Sequence, residues 1–257
     1  MKGFCPLASG SKGNSIYLGT DKTKILIDAG LSVKALTARL EAIQVDIAEI
    51  EAVLITHEHG DHVKGLSALC SKFGIPVFTN KETAQAIVPM CREIPKFKIF
   101  STGETFQFGD IEIHPFSIQH DAMDPVAFTF RFDDLKIGLC ADLGFASSLV
   151  ISQLQLCDYL YLESNHQPSM VHASSRPLVY KQRVLSRQGH LSNDESASVL
   201  SSVYTEKLKH VYLAHLSSEC NTPELALKIV GDLLKKNGQN VALSVASQDV
   251  ASAPSIF

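Results

Sequence analysis

With 257 residues, 45% of them hydrophobic, the chain has enough apolar mass to bury a large core, and it falls within the range of a single α/β layered domain. Ten prolines and fifteen glycines are ordinary numbers, which excludes a disordered or fibrous chain. A formal net charge of −4 excludes a global pull toward nucleic acid, so a polyanionic substrate has to be met by a local basic patch or by metal.

Short apolar runs alternate with helix-period segments along most of the chain. "SIYLGT" and "KILIDAG" read as adjacent strands, and "SVKALTARLEAI" places Val33, Leu36, Leu40 and Ile43 on one helical face. "EAVLIT" reads as a buried strand, "DHVKGLSALCSKFG" as a helix stopped by Gly74, and "IPVFTN" as a strand followed by a helix from about Lys81 to Met90. From Phe97 to Cys140 the texture becomes a meander, with hairpin turns at "FGD" and "FDDLK". Helix and strand then alternate again: "SSLVISQLQL" before "DYLYLESNH", "RPLVYKQRVLSRQG" and "NDESASVLSSVYTEK" before "KHVYLAHLS", "TPELALKIVGDLLKKNG" before "NVALSVAS". No linker or composition break divides residues 1–257, which are expected to form one domain. Each half has a meander followed by strand–helix alternation, a pattern that two mixed sheets with helices on both outer faces would satisfy.

The N-terminal apolar stretch is too short for a signal peptide, and no run approaches the ~20 apolar residues of a membrane span. The six cysteines form no Cys-x-x-Cys pair and sit mostly in apolar runs, as expected of reduced thiols in a cytoplasmic protein without membrane association. Cys140, two residues before Asp142, is expected to be a core thiol.

"LITHEHGDHVKGL", residues 54–66, crowds His57, His59, Asp61 and His62 behind an apolar run. In a sharp turn after a strand, His57 and His59 can converge on one divalent ion while Asp61 and His62 face a second; each site needs a further ligand. Residues directly after apolar strands supply candidates: His120 after "FSIQ", Asp142 after "KIGLCA" and His215 after "HVYLA". Asp142 suits a bridge, because a carboxylate can offer one oxygen to each ion.

"THEHGDHVKG", with His120, Asp142 and His215 following in order, resembles the metallo-β-lactamase superfamily over essentially the whole chain. The resemblance implies an α/β fold, the four-layer αβ/βα sandwich. It also implies two divalent ions, Zn or Mn: His57, His59 and His120 hold one, Asp61, His62 and His215 the other, and Asp142 bridges. "LASGSKGNS", "YLESNHQ" and "GHLSN" are similar to the YycJ/WalJ-type metal-dependent nucleases, which implies 5′-to-3′ exonuclease activity on double-stranded DNA. Gln167 stands where that family's pattern has an acidic residue.

Asp61 and His190 are the catalytic candidates, His190 as a proton donor to the leaving oxygen or a phosphate contact. Ser11 and Asn14 of the Gly-Ser loop, His166, Arg183 and Arg187 are candidate substrate contacts. If "RPLVYKQRVLSRQG" is one helix, Arg183 and Arg187 share a face, with Arg176 near it. His114, His172 and His210 lack such context. A small-molecule phosphodiesterase on the same scaffold and a non-catalytic metal-bound regulatory module are the alternatives.

Overall fold

The chain enters on a strand that its Pro6 conceals: β1 (Gly3–Ala8) is buried along its whole length, and its register against the next strand shifts between Pro6 and Ala8. Proline donates no ladder hydrogen bond, so a bulge at that point is where a strand accommodates it. The computed structural model describes all residues, Met1 to Phe257. It divides into two compact units: Met1–Pro115, Ala122–Val126 and Ala246–Phe257 form the first, and Phe116–Asp121 with Ala127–Val245 the second.

In chain order the first stretch continues with β2 (Ser15–Gly19), β3 (Lys24–Ile27), α1 (Val33–Ala42), β4 (Ala52–Leu54), α2 (Gly60–Val63), α3 (Leu66–Phe73), β5 (Val77–Thr79), α4 (Lys81–Ile87), β6 (Phe97–Ile99), β7 (Phe106–Phe108) and β8 (Ile111–Ser117). Then come β9 (Val126–Phe132), β10 (Leu135–Cys140), α5 (Ser148–Leu154), β11 (Tyr159–Glu163), α6 (Pro168–Ala173), α7 (Leu178–Val184), α8 (Asn193–Val203), β12 (His210–Ala214), α9 (Pro223–Lys236), β13 (Ala242–Val245) and β14 (Ser255–Ile256). No helix is long and apolar enough to cross a membrane.

One seven-stranded sheet has the order β14-β1-β2-β3-β4-β5-β6, the other β13-β12-β11-β10-β9-β8-β7. The first sheet is antiparallel through β1, β2 and β3 and parallel from β3 to β6. In the second, β7 pairs antiparallel with β8 and β9 with β10, and β10 to β13 are parallel. This is the repeated plan, meander then strand–helix alternation, that the sequence texture predicts.

Each unit has its own apolar core. In the first, Leu36 and Leu40 of α1 and Leu66 and Leu69 of α3 pack with Leu26, Val53 and Val77 of the sheet. In the second, Val150 and Leu154 of α5, Leu200 and Val203 of α8, and Val230 and Leu234 of α9 pack with Leu160, Val211 and Leu213. Each such side chain stabilises its unit by about 1.5–3 kcal/mol. The helices start where side chains cap them: Ser32, Asn80, Ser147, Ser192 and Thr222 each accept an N–H of the first turn.

Three expectations are corrected. The helix expected across residues 61–73 breaks into α2 and α3 at Gly65. There the backbone passes so close to the turn after β3 that Gly65 N–H donates to the Ala29 carbonyl at 2.8 Å, and a Cβ on Gly65 would collide with the Leu31 carbonyl. The meander begins at β7 rather than Phe97, because β6 pairs parallel with β5 and completes the first sheet. Finally, α7 is short. Pro177 caps its start, and after Val184 the chain turns back through Ser186 and Gly189, so Arg176 precedes the helix, Arg187 follows it, and the shared basic face does not form.

Candidate metal centre

In the first unit the parallel strands β3 and β4 end side by side, and their next residues carry the chemistry. Asp28, after β3, takes a left-handed backbone (φ 62°), which is uncommon for a residue with a side chain and marks a constrained turn. Its buried carboxylate accepts Thr56 N–H at 2.9 Å and the Thr56 hydroxyl at 2.9 and 3.1 Å, and lies 2.8 Å from His62 Nδ1. A carboxylate takes only donors, so Nδ1 carries the proton and Nε2 of His62 keeps its lone pair, as a ligating imidazole requires.

The rings of His57 and His62 lie 4.1 Å apart and those of His57 and His59 4.6 Å apart, centroid to centroid. His57 and His62 are buried, while His59 and Asp61 are partly open. The Asn14 amide lies 3.1 Å from Asp61 Oδ2 and 3.0 Å from His62 Nε2, and its Oδ1 accepts Gly10 N–H. The Gly-Ser loop thus reaches the cluster through Asn14, while Ser11 sits exposed in the turn.

The second unit gathers its donors from separate strand ends. Asp142 follows β10 and His215 follows β12, both with left-handed backbones (φ 55° and 53°). Between them Glu163, the last residue of β11, is wholly buried. It accepts the N–H groups of Leu143 (3.0 Å) and Leu191 (3.1 Å) at Oε2, while Oε1 lies 2.8 Å from His190 Nδ1 and 3.0 Å from His215 Nδ1. Burial opposes its ionisation, but the charge and hydrogen bond of His190 and the bond from His215 outweigh it and hold the carboxyl well below its usual range.

Asp142 Oδ1 lies 3.2 Å from His215 Nδ1 and 3.6 Å from His190 Nδ1. Ligand atoms of Asp142, Glu163, His190 and His215 all come within 4.8 Å of one another. Nearby, His120 is buried with Nδ1 3.2 Å from the carbonyls of Gln188 and Gly189, and its ring centroid is 5.3 Å from that of His190. Burial pushes the His120 pKa down, against the opposing pull of Asp142.

The structure therefore brings His57, His59, Asp61 and His62 together in one unit, and His120, Asp142, His190 and His215 in the other. His166 is buried beside Ser192, bridged to it through the main chain, and burial lowers its pKa. Gln167 bonds Asn193 and Asp194, a polar role that an amide fills well. Arg183 and Arg187 are exposed. Cys140 is a buried core thiol, its pKa pushed up by burial. His114 pairs with Thr105, His210 with Ser244, and His172 is exposed.

Sequence reasoning missed two residues, Asp28 and Glu163. Asp28 had a signal, since it is an acid directly after the apolar run "KILI". Glu163 had a weaker one, an acid closing "DYLYLE".

A model of the beta-lactamase superfamily domain matches residues 23–215. The chain belongs to the beta-lactamase superfamily. Among its relatives in that superfamily, the exodeoxyribonuclease YycJ of Bacillus anthracis is 40% identical over 241 residues, 93% of this chain and 91% of the relative. The exodeoxyribonuclease WalJ of Streptococcus pneumoniae is 39% identical over 229 residues, 86% and 83% of the two chains. The crystal structure of the metallo-β-lactamase fold protein YhfI from Bacillus subtilis superposes with a TM-score of 0.74 at 14% identity, covering 98% of this chain and 99% of that one. That likeness shows the metallo-β-lactamase fold, so the expected α/β class, two mixed sheets flanked by helices, is the observed one. The fold implies divalent metal ions, and this chain offers the imidazole and carboxylate donors they require.

Proposed function

We propose that this chain is a binuclear metal-dependent phosphodiesterase acting as a 5′-to-3′ exonuclease on double-stranded DNA. The observation that carries the reading is 40% identity across 93% of the chain to a protein named exodeoxyribonuclease.

The donor set fits the metals on its chemistry. His62 is a buried imidazole whose Nδ1 is bound to a carboxylate, leaving Nε2 for a ligand, and Glu163 holds Nδ1 of His215 in the same way. In this reading His57, His59 and His120 would hold one ion, Asp61, His62 and His215 would hold a second, and Asp142 would serve both; such mixed imidazole–carboxylate donor sets suit zinc and manganese alike. Two bound ions supply an activated water and offset the charge that builds on the attacked phosphate.

The protein groups do the rest. His190 is anchored at Nδ1 by Glu163, which leaves Nε2 to give a proton to the leaving oxygen. Asp61, whose Oδ2 accepts from the Asn14 amide, would orient the attacking water and accept its proton.

The test is incubation of metal-loaded protein with duplex DNA labelled at either end, with single-stranded DNA, and with bis(p-nitrophenyl) phosphate. The expected result is progressive shortening of the duplex with early loss of the 5′ label, stopped by EDTA. Turnover of the small ester with intact duplex would replace this reading with a small-molecule phosphodiesterase. Bound metal with no turnover of any substrate would favour a regulatory module.

A further inference from the structure

The basic run from Arg176 to Arg187 is not uniform once its partners are traced. Arg176 pairs with Glu219, and Arg183 is clamped by both oxygens of Asp121 at 2.5 and 3.1 Å. Lys181 donates to the His172 carbonyl. Arg187 meets no acid and no carbonyl; its guanidinium carbon lies 3.8 Å from the centroid of the Phe145 ring. Phe145 is 37% exposed, so the stacked pair lies at the surface, where a ligand can reach it.

This stack is tied to the chemistry of the second unit. Phe145 stands three residues after Asp142, and Arg187 three before His190. The two segments press together at Gly144, where a Cβ would come within 2.5 Å of Arg187 C, Gly189 N and Ser186 O. Gly144 N–H donates to the Gln119 carbonyl beside His120, and the Gln188 and Gly189 carbonyls face His120 Nδ1. The cation is therefore carried by the same two loops that carry Asp142 and His190.

We infer that the Arg187–Phe145 stack is the phosphate contact that positions the DNA backbone beside the reacting centre, and that Arg183 is not; the inference rests on the nuclease reading above. A guanidinium lying on an aromatic face has its long side chain ordered in advance, yet all its N–H groups remain available to phosphate oxygens. Preorganisation of this kind lowers the ordering cost of binding. Arg183, whose fork already matches a carboxylate, would have to give up that bidentate pair first.

The experiment measures binding of a fluorescent duplex by anisotropy across a salt series, with KM and kcat on the same duplex. Arg187→Ala is expected to weaken binding roughly tenfold near ~0.1 M salt and to reduce the slope of log K against log salt by about one. The loss falls on KM more than on kcat, and Arg187→Lys recovers part of it. Phe145→Ala keeps the cation but frees it, and is expected to weaken binding about two- to fivefold with the salt slope retained. Arg183→Ala keeps the parent's salt slope. If Arg187→Ala binds duplex like the parent at every salt concentration, or if Arg183→Ala alone flattens the slope, the inference is overturned while the nuclease reading stands. If the parent neither binds nor cleaves duplex, the nuclease reading fails and takes the inference with it.

Discussion

In the first unit four donors lie within one turn of chain, His57 to His62, and a carboxylate from the next strand, Asp28, reaches across to orient one of them. In the second unit the donors are spread from residue 120 to residue 215: Asp142, Glu163 and His215 meet because β10, β11 and β12 are parallel neighbours, and His120 and His190 reach them from loops. Parallel α/β sheets place their working residues beyond the carboxyl ends of the strands, and both units obey that rule. They also share one device, a buried carboxylate that accepts backbone N–H and fixes a histidine by its Nδ1. The difference is load: Asp28 holds one histidine, whereas Glu163 holds two. The second unit should therefore be more sensitive to loss of its carboxylate.

The largest effect should come from Asp142, which contacts His215 and lies near His190. Asp142→Ala is expected to reduce nuclease activity to background and bound divalent metal to about one ion or fewer of the proposed two, while the melting transition persists because each core is apolar. Elemental analysis beside thermal unfolding checks this. Parent-like metal content in the variant would break the shared-ligand assignment.

Next in size are the two carboxylates, compared directly. In Glu163→Gln the amide nitrogen meets donors at either position: one receives two backbone N–H groups, and at the other both imidazoles would have to change tautomer to accept from it. The variant should lose metal affinity about 10–100-fold and also cost about 1–3 kcal/mol of stability, since a buried donor then faces donors. In Asp28→Asn the amide oxygen can stay on Thr56 N–H while the nitrogen turns to His62. That bond requires the other His62 tautomer, which protonates Nε2, so metal affinity falls toward the lower end of that range with little loss of stability. Metal titration and melting temperature on both variants separate the cases. Equal stability losses would show that the two carboxylates carry the same load.

The same contrast explains what the sequence made legible. A ligand cluster confined to six positions is visible because local spacing alone brings it together. Asp142 and His215 are visible one at a time, as polar residues that interrupt the chain just past apolar strands. Glu163 ends a strand, so it reads as strand until the amides of Leu143 and Leu191 are known to converge on it, and both come from beyond 19 residues away along the chain. Asp28 met the strand-end criterion but was followed by Ala-Gly, which reads as an ordinary turn. The sheet plan was legible from texture, while strand membership was not: nothing local in "FKI" tells β6 to join β5 rather than β7. The supposed basic face failed because a helix period was extended through Pro177 and on past Val184, into a segment that Ser186 and Gly189 turn.

The smallest predicted effect sharpens the contrast between the two ends of one strand. β12 begins at His210 and leads to His215. His210 is half-buried, with Nε2 2.9 Å from Ser244 Oγ and its ring packed on Tyr212 at 4.3 Å between centroids. Burial lowers its pKa below the usual histidine value, so the folded protein favours the neutral ring. As pH falls below ~6.5 the unfolded chain takes up a proton that the folded chain resists, and stability declines through the window down to the lowered folded value. The contribution is complete above ~6.5. His210→Gln keeps a hydrogen bond to Ser244 within reach but cannot titrate, so its melting temperature should fall less than the parent's between pH 7.5 and 5.5, by on the order of 1–2 °C. Parallel melting curves at the two pH values decide it; an identical drop in both proteins would assign the acid sensitivity to groups other than the start of β12.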